Sequence, residues 1–223
     1  MDWQALKVSL ELAFWTSFFL FPIGVFVGRA LAVRQLPCRP VIQSLIFLPL
    51  VLPPTVLGYY FLVAIAPDAL LGSGWLWLTG RPLAFTFEGL LMVSLIANLP
   101  FAIQPVQNSF AAIDSDVRDA ARVCGLNFWQ ALWKVELPLA WPGLLSAFLL
   151  TFTHTLGEFG VVLMVGGNLE GETRTLSIAI YDEVQALNMT AAGQMSLLLL
   201  VLAFVSLLLV QWKTQRFADK GQR

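Results

Sequence analysis

Long apolar segments restrict the fold of this 223-residue sequence more than any other feature. A helix that crosses a lipid bilayer needs about 20 consecutive, mostly apolar residues. Five segments meet that requirement, at residues 6–27, 41–66, 85–107, 140–165 and 192–212. Only 12% of the residues are charged, whereas a typical water-soluble domain has about 25%. The sequence therefore predicts an all-α integral membrane protein with about five transmembrane helices, arranged as a single domain over residues 1–223.

The positions of lysine and arginine indicate how these helices are oriented. Of the 13 basic residues, ten lie in the stretches that follow the first, third and fifth apolar segments. Basic residues are enriched in cytoplasmic loops. We therefore predict an N-terminus outside the cell and a C-terminus in the cytoplasm. The predicted cytoplasmic tail contains Lys213, Arg216, Lys220 and Arg223.

Two of the apolar segments contain residues that break a helix or need hydrogen-bond partners. The second contains the pair Pro53 and Pro54, and the third contains Asn98 and Gln104. Backbone and amide groups inside a bilayer must be satisfied by protein or by water. Such residues are typical of a hydrated passage, although interhelical hydrogen bonds explain the amides equally well. Together with Glu158, these four residues are our candidates for a passage or gate through the membrane.

The fourth segment contains two ionisable residues four positions apart, His154 and Glu158. Charged groups inside a bilayer are costly, so such residues are functional candidates. On one helix face the pair would suit proton transfer in a secondary transporter, or chemistry in an intramembrane enzyme. A metal site would need at least a third ligand, and the sequence has no second histidine, so we predict no metal. The alternative is a structural role, in which Glu158 is hydrogen-bonded within the outer half of the bundle.

Gly24 and Gly28 in the first segment have a GxxxG spacing. Small residues at this spacing allow two transmembrane helices to approach closely. We therefore predict a packing seam on this side of the first helix, although glycine is also common in membrane helices for other reasons.

The stretch between the fourth and fifth segments is too short and too polar to cross the bilayer. Its apolar residues recur at helical spacing, at Leu176, Ile180, Val184 and Leu187. This periodicity, with acidic side chains on the opposite face, predicts a short amphipathic helix at the outer surface.

Residues 114–138, here called the polar loop, interrupt the apolar pattern. Asp114 suits the N-cap of a first short helix, and Gly125 suits its left-handed end. Asn127 can cap a second short helix, which Pro138 would end. The sequence has no GxxxxGK[ST] phosphate-binding loop, so energy from ATP would have to arrive through a partner. A charged loop outside the bilayer is a candidate contact for that partner.

The polar loop carries a recognisable motif, because residues 119–138 read DAARVCGLNFWQALWKVELP. This segment resembles the EAA motif in the membrane subunits of bacterial ABC importers, in which a glycine and an I-x-LP sequence follow EAA at fixed distances. The spacing matches throughout, with Asp119 in place of glutamate and Val135 in place of isoleucine. In that family the motif forms a coupling helix, which docks into a cleft on the ATP-hydrolysing subunit. The resemblance assigns docking to Asp119, Ala120, Ala121 and Gly125, with Arg118 and Arg122 as further polar contacts.

Three further stretches, at residues 48–60, 156–160 and 171–185, resemble molybdate permeases and, less closely, sulfate and tungstate permeases. The resemblance implies a type I ABC importer permease core in the bacterial inner membrane, with two copies of the chain forming the pathway. It also implies two ATP-binding cassette subunits, which bind ATP and Mg²⁺, and a periplasmic or lipid-anchored substrate-binding protein. The permease itself would then have no cofactor, no catalytic residue and no nucleic-acid partner. Tungstate or sulfate import is the alternative, and a secondary transporter or enzyme using His154 and Glu158 is a more remote one.

Overall fold

The computed structural model describes residues 1–34 and 37–221, except for the side chains of residues 213–221. Arg223 of the predicted cytoplasmic tail lies outside the described residues, as do the side chains of the other three basic residues there. Within the described part the chain is helical. The first helices are α1 (Trp3–Val33), α2 (Arg39–Val51), α3 (Pro54–Ala64), α4 (Leu70–Thr79), α5 (Phe87–Ala97) and α6 (Leu99–Ala111). They are followed by α7 (Ser115–Val123), α8 (Phe128–Ala131), a π-helical turn (Leu132–Glu136), α9 (Leu137–Gly157), α10 (Gly160–Gly166), α11 (Leu176–Gln185) and α12 (Met189–Gly221).

Among the described residues, four helical units are long and apolar enough to cross a bilayer. They are Trp3–Val33, Phe87–Ala111, Phe128–Gly157 and Met189–Trp212. The pair α2 and α3 passes the same test when taken together, which gives up to five spans. The all-α membrane class predicted from the apolar segments is confirmed.

The second apolar segment is bent instead of forming the continuous span predicted for residues 41–66. Helices α2 and α3 meet at an angle of 111°. The residue before a proline avoids the helical conformation, and two consecutive prolines impose this restriction twice. Accordingly, Leu52 and Pro53 both have extended backbones, with ψ of 136° and 137°.

The third and fourth segments are interrupted as well. Asn98 separates α5 from α6, and its φ and ψ of −95° and 0° lie outside the helical range. Helix α9 ends at Gly157, Glu158 is extended with ψ of 131°, and α10 begins two residues later. The prediction that His154 and Glu158 share one helix face is therefore wrong, because the helix ends between them.

Helices α1, α6 and α9 form the centre of the molecule, with Val25, Val106 and Leu144 in their shared core. The predicted glycine seam lies between α1 and α6. A Cβ atom on Gly24 would lie 2.5 Å from the carbonyl oxygen of Ala102, and one on Gly28 would lie 2.9 Å from the side chain of Val106. Glycine at these two positions lets the helices touch through their backbones, so the predicted seam is confirmed.

Helix α11 confirms the short helix predicted between the fourth and fifth segments. Its residues Leu176 and Ala179 are buried in a cluster with Ala5 of α1 and Met195 of α12. The apolar pattern overestimates its length, because Leu187 lies beyond the helix end with φ of 59° and is 79% exposed.

Candidate functional site

The polar loop folds into two short helices joined at Gly125, as its sequence predicts. The Asp114 carboxylate accepts a hydrogen bond of 3.0 Å from the Asp116 amide and so begins α7. Gly125 has φ of 77°, a conformation that glycine adopts without steric cost. Asn127 and Gln130 form a reciprocal capping box at the start of α8, with hydrogen bonds of 2.9 and 3.0 Å.

The end of the polar loop differs from the prediction that Pro138 stops the second helix. The chain continues from α8 through the π-helical turn into α9. In that turn the Leu137 amide donates to the carbonyl of Leu132, five residues earlier. Pro138 falls in the first turn of α9, where a missing N–H is tolerated. The polar loop is thus connected to a membrane helix without a break in helical structure.

Most of the residues predicted to dock a partner lie on the outer side of α7 and its following turn. The exposed ones are Asp119, Ala120, Arg122 and Gly125. Asp119 and Arg122 pair with each other at 2.9 Å, whereas Ala121 is buried. Val123, which the motif does not identify, is 88% exposed. Residues three positions apart lie on the same face of a helix. The spacing of Val123 from Ala120 could therefore have identified it as part of the same surface.

Arg118 faces the helix bundle instead of the surface. Only 14% of its side chain is exposed. Its Nη1 donates to the carbonyl of Ile113 at 3.1 Å, and its Nη2 donates to the carbonyl of Phe110. Its Nε lies 4.0 Å from a carboxylate oxygen of Glu136. Arg118 therefore links α7 to the end of α6 and to the π-helical turn before α9.

Glu136 is a buried carboxylate with two arginine neighbours. The residue is 3% exposed, and it accepts two hydrogen bonds from Arg29, at 2.5 Å from Nε and 2.8 Å from Nη2. The guanidinium carbon of Arg29 also lies 4.7 Å from the ring centroid of Phe128. Arg29 and Glu136 are 107 residues apart, so no local sequence pattern could identify them as a pair.

A second polar cluster forms inside the bundle, where two helix breaks meet. Asn98, which is fully buried, donates from Nδ2 to the carbonyl of Ser94 at 2.9 Å and to Glu158 Oε2 at 3.2 Å. Its Oδ1 lies 3.0 Å from Nδ1 of His154. The His154 ring stacks on Phe101 with 4.0 Å between centroids. The side-chain amide of Asn98 thus contacts both ionisable residues, Glu158 through its nitrogen and His154 through its oxygen.

The bend between α2 and α3 adjoins the same cluster. A Cβ atom on Gly160 would lie 2.7 Å from the Cβ of Pro54, so the chain just after Glu158 packs directly on the bend. Three interruptions of helical structure are therefore neighbours, although they lie far apart in sequence. Of the predicted passage residues, the structure brings together Pro54, Asn98 and Glu158.

Two predicted passage residues lie outside this junction. Pro53 and Gln104 are both exposed. Gln104 lies three residues after Phe101 on α6 and so lies on the same side of that helix. Among the described residues, no group of three or more His, Cys, Asp and Glu side chains could hold a metal ion.

Comparison with known proteins identifies the family. The binding-protein-dependent transport system inner membrane component matches residues 21–219. The molybdenum transport system permease protein ModB of Azotobacter vinelandii is 38% identical over 97% of this chain and 95% of its own length. The ModB of Haemophilus influenzae is 32% identical over 99% of this chain and 96% of its own. The sulfate transport system permease protein CysT of Escherichia coli is 28% identical, over 97% of this chain and 78% of that protein.

Solved structures support the same fold. A chain of a bacterial ABC transporter that imports alginate superposes with a TM-score of 0.76 at 19% identity, over 96% of this chain and 78% of that one. A chain of the MetNI methionine ABC transporter superposes with a TM-score of 0.71 at 21% identity, over 98% of this chain and 95% of that one. The architecture is that of a type I ABC importer permease, and the related proteins are transport permeases, not enzymes. With its apolar helices, the chain is a multi-pass inner-membrane protein that belongs to the family of binding-protein-dependent transport system inner membrane components.

Proposed function

We propose that this chain is the membrane-spanning subunit of an ATP-driven importer for molybdate. The observation that carries the proposal is its similarity, over almost its whole length, to permeases named for molybdenum transport. The sulfate permease is less similar and is matched over a smaller share of its length. Molybdate is therefore favoured as the cargo, and sulfate or tungstate is the second candidate.

We propose that α7 and the turn after it receive the movement of a partner ATPase. Asp119, Ala120 and Gly125 are exposed on this surface. Small side chains there allow a groove on another protein to approach the helix backbone closely, and the exposed Arg122 and Val123 add a charge and an apolar contact. Buried Ala121 lets the helix pack tightly against the chain behind it. ATP and Mg²⁺ would be bound by two ATP-binding cassette subunits, so this chain needs no cofactor of its own.

The pathway itself is proposed to form between two copies of the chain. Gln104, Asn108 and His154 are exposed in a single protomer, and they lie on α6 and α9, which belong to helical units long and apolar enough to cross a bilayer. Polar side chains facing lipid are costly, so we infer that a second copy and water cover this face in the assembly. A periplasmic or lipid-anchored binding protein would deliver the anion from the outer side, where we place the N-terminus.

The junction of helix breaks is proposed to be the gate region of that pathway. It includes Pro54, Asn98 and Glu158, whereas Pro53 precedes it at the bend and Gln104 lies further along α6. Breaks in three neighbouring elements allow the helices to change direction without the loss of many backbone hydrogen bonds. Glu158 is not a ligand in this proposal, because a carboxylate repels a divalent oxyanion. Its hydrogen bond to Asn98 supports a role in ordering the gate.

Co-purification tests the ATPase partner. The substitution Ala120→Arg adds bulk and charge to the exposed side of α7, and it is expected to abolish recovery of the ATPase with the chain. The matched control is Ala186→Arg, an exposed alanine at the end of α11, which should leave recovery unchanged. If the ATPase is recovered equally well with both variants, α7 is not the docking helix.

Anion uptake tests the cargo. Uptake of molybdate, tungstate and sulfate is measured in cells that lack this chain, with and without its gene restored. Restoration of molybdate uptake at low external concentration is the expected result. If sulfate uptake alone is restored, sulfate is the cargo instead of molybdate. If uptake needs no ATPase partner, the proposal of an ATP-driven importer is refuted and a secondary transporter is favoured.

A further inference from the structure

The buried carboxylate of Glu136 is not explained by docking or by the pathway. Removing a charged group from water is costly unless the charge is paired and hydrogen-bonded. Here the carboxylate is almost completely buried and is held by a two-point contact from Arg29. A second arginine, Arg118, lies at 4.0 Å from the same group. One carboxylate therefore joins three chain segments, namely α1, α7 and the π-helical turn before α9.

Arg118 also joins α7 to α6. Its guanidinium donates to the carbonyls of Phe110 and Ile113, at the C-terminal end of α6. The carbonyl end of a helix carries partial negative charge and stabilises a nearby cation. The carboxylate of Glu136 attracts the same guanidinium from the other side. The position of Arg118 therefore depends both on the end of α6 and on the Arg29–Glu136 pair.

Helix α7 has few other contacts with the bundle. Ala121 is the one buried residue among its nine, and its outer residues are exposed for a partner. A helix held by so little apolar contact would move independently of the membrane helices. The side chain of Arg118 is thus the main polar connection between α7 and the lipid-embedded part of the protein.

We propose that Arg118, held by Glu136 and Arg29, is a positioning residue that fixes α7 to α1, α6 and α9. This inference rests on the proposed function, because it concerns how movement of an ATPase reaches the pathway. A pull on α7 is transmitted through the buried ion cluster to three central helices. Without the cluster, α7 is joined to the bundle through its short connections to α6 and α8, and the bundle follows its movement less closely.

The substitution Arg118→Met separates this role from folding. It removes the link to α7 but leaves the Arg29–Glu136 pair intact, so the membrane bundle keeps its own contacts. In the purified complex reconstituted in vesicles, we expect the number of molybdate ions transported per ATP hydrolysed to fall, because ATP is still hydrolysed while α7 no longer moves the bundle as closely. The ATPase should remain bound. Arg81→Met is the matched control, since it breaks the exposed Arg81–Glu88 pair and should leave the ratio unchanged.

A second measurement remains informative if that variant assembles poorly. Cys124, at the end of α7, is exposed and free, as is Cys38. A spin label on Cys124, with Cys38 replaced by serine, reports the mobility of α7 in the chain without its partners. Arg118→Met should make this label more mobile, and Arg81→Met should not.

The outcomes separate the inference from the proposed function. If no ATPase co-purifies with the unmodified chain, the proposed function fails. If the complex forms but Arg118→Met transports as many ions per ATP as the unmodified chain, or if the label on Cys124 is no more mobile, the positioning role is refuted. Loss of the ATPase from the Arg118→Met complex would make Arg118 a direct docking contact and would also overturn it. The double variant Arg118→Met/Glu136→Gln should transport as many ions per ATP as Glu136→Gln alone, because both residues act in one cluster.

Discussion

Replacing Gly24 with alanine is expected to separate α1 from α6. The new Cβ atom would lie 2.5 Å from the carbonyl oxygen of Ala102 and 3.1 Å from its carbonyl carbon. Carbon and oxygen atoms normally approach no closer than about 3.3 Å. Both sides of this contact involve the backbone, so a change of rotamer cannot relieve it. The two helices must move apart locally, and they lose packing on both sides of the seam.

The size of the effect follows from two opposing terms. Overpacking a tight contact costs about 1–3 kcal/mol, whereas exchanging glycine for alanine inside a helix contributes up to about 1 kcal/mol in favour of folding. The net loss is therefore about 1–2 kcal/mol. For a protein of this size, 1 kcal/mol corresponds to about 2–4 °C in Tm, so the Tm should fall by about 2–8 °C.

Thermal unfolding of the purified chain in detergent measures this difference. The matched control is Gly193→Ala in α12, where a Cβ atom meets no other atom within 4 Å. That variant has the helix-propensity gain without the clash, so its Tm should stay the same or rise. If Gly24→Ala is as stable as Gly193→Ala, the close approach of α1 and α6 is not a determinant of stability.

Three further substitutions, the first with a matched control, test the polar loop and the polar cluster around Asn98. Asn98→Leu removes the amide that joins Glu158 to His154 and should lower the free energy of unfolding by about 2–3 kcal/mol in the same thermal assay. As a control, the exposed Gln194→Leu on α12 should change the free energy of unfolding by less than about 0.5 kcal/mol; equal effects would mean that the buried amide contributes little. Gly125→Val places a branched side chain at φ of 77°, which costs about 1–2 kcal/mol, and should weaken ATPase binding in a pull-down titration. Glu158→Gln keeps an oxygen that accepts from Asn98, so assembly and the imported anion should be unchanged; an altered order of molybdate, tungstate and sulfate uptake would make Glu158 a selectivity residue.

The sequence predicts well those features that depend on neighbouring residues. Helix α7 follows from its cap at Asp114 and its turn at Gly125, and the seam at Gly24 follows from a four-residue spacing. Each of these signals lies within a few positions of the structure that it produces. The same is true of α11, whose apolar residues recur along a single short helix.

Hydropathy alone could not reveal where the membrane helices break. A window of apolar residues has the same average whether the chain runs straight or turns by 111°, as it does before Pro54. The contact of Asn98 with Glu158 joins residues 60 positions apart. The Arg29–Glu136 pair is more distant still. Such pairs are decided by how complete helices pack, and a single sequence does not record that packing.

The π-helical turn also determines which way the side chains of α8 point relative to those at the beginning of α9. Phe128 and Glu136 are eight residues apart, and at about 100° per residue an uninterrupted α-helix would leave them about 80° apart around its axis. Because a π turn contains one additional residue, this interval behaves like seven residues, or about two full α turns. Phe128 and Glu136 then point in nearly the same direction, and one guanidinium meets both, at 4.7 Å from the ring and 2.8 Å from the carboxylate. Deleting Val135 would leave seven residues of regular α-helix and keep both partners on the same side, whereas a regular α-helix through all eight residues would turn one of them away from Arg29.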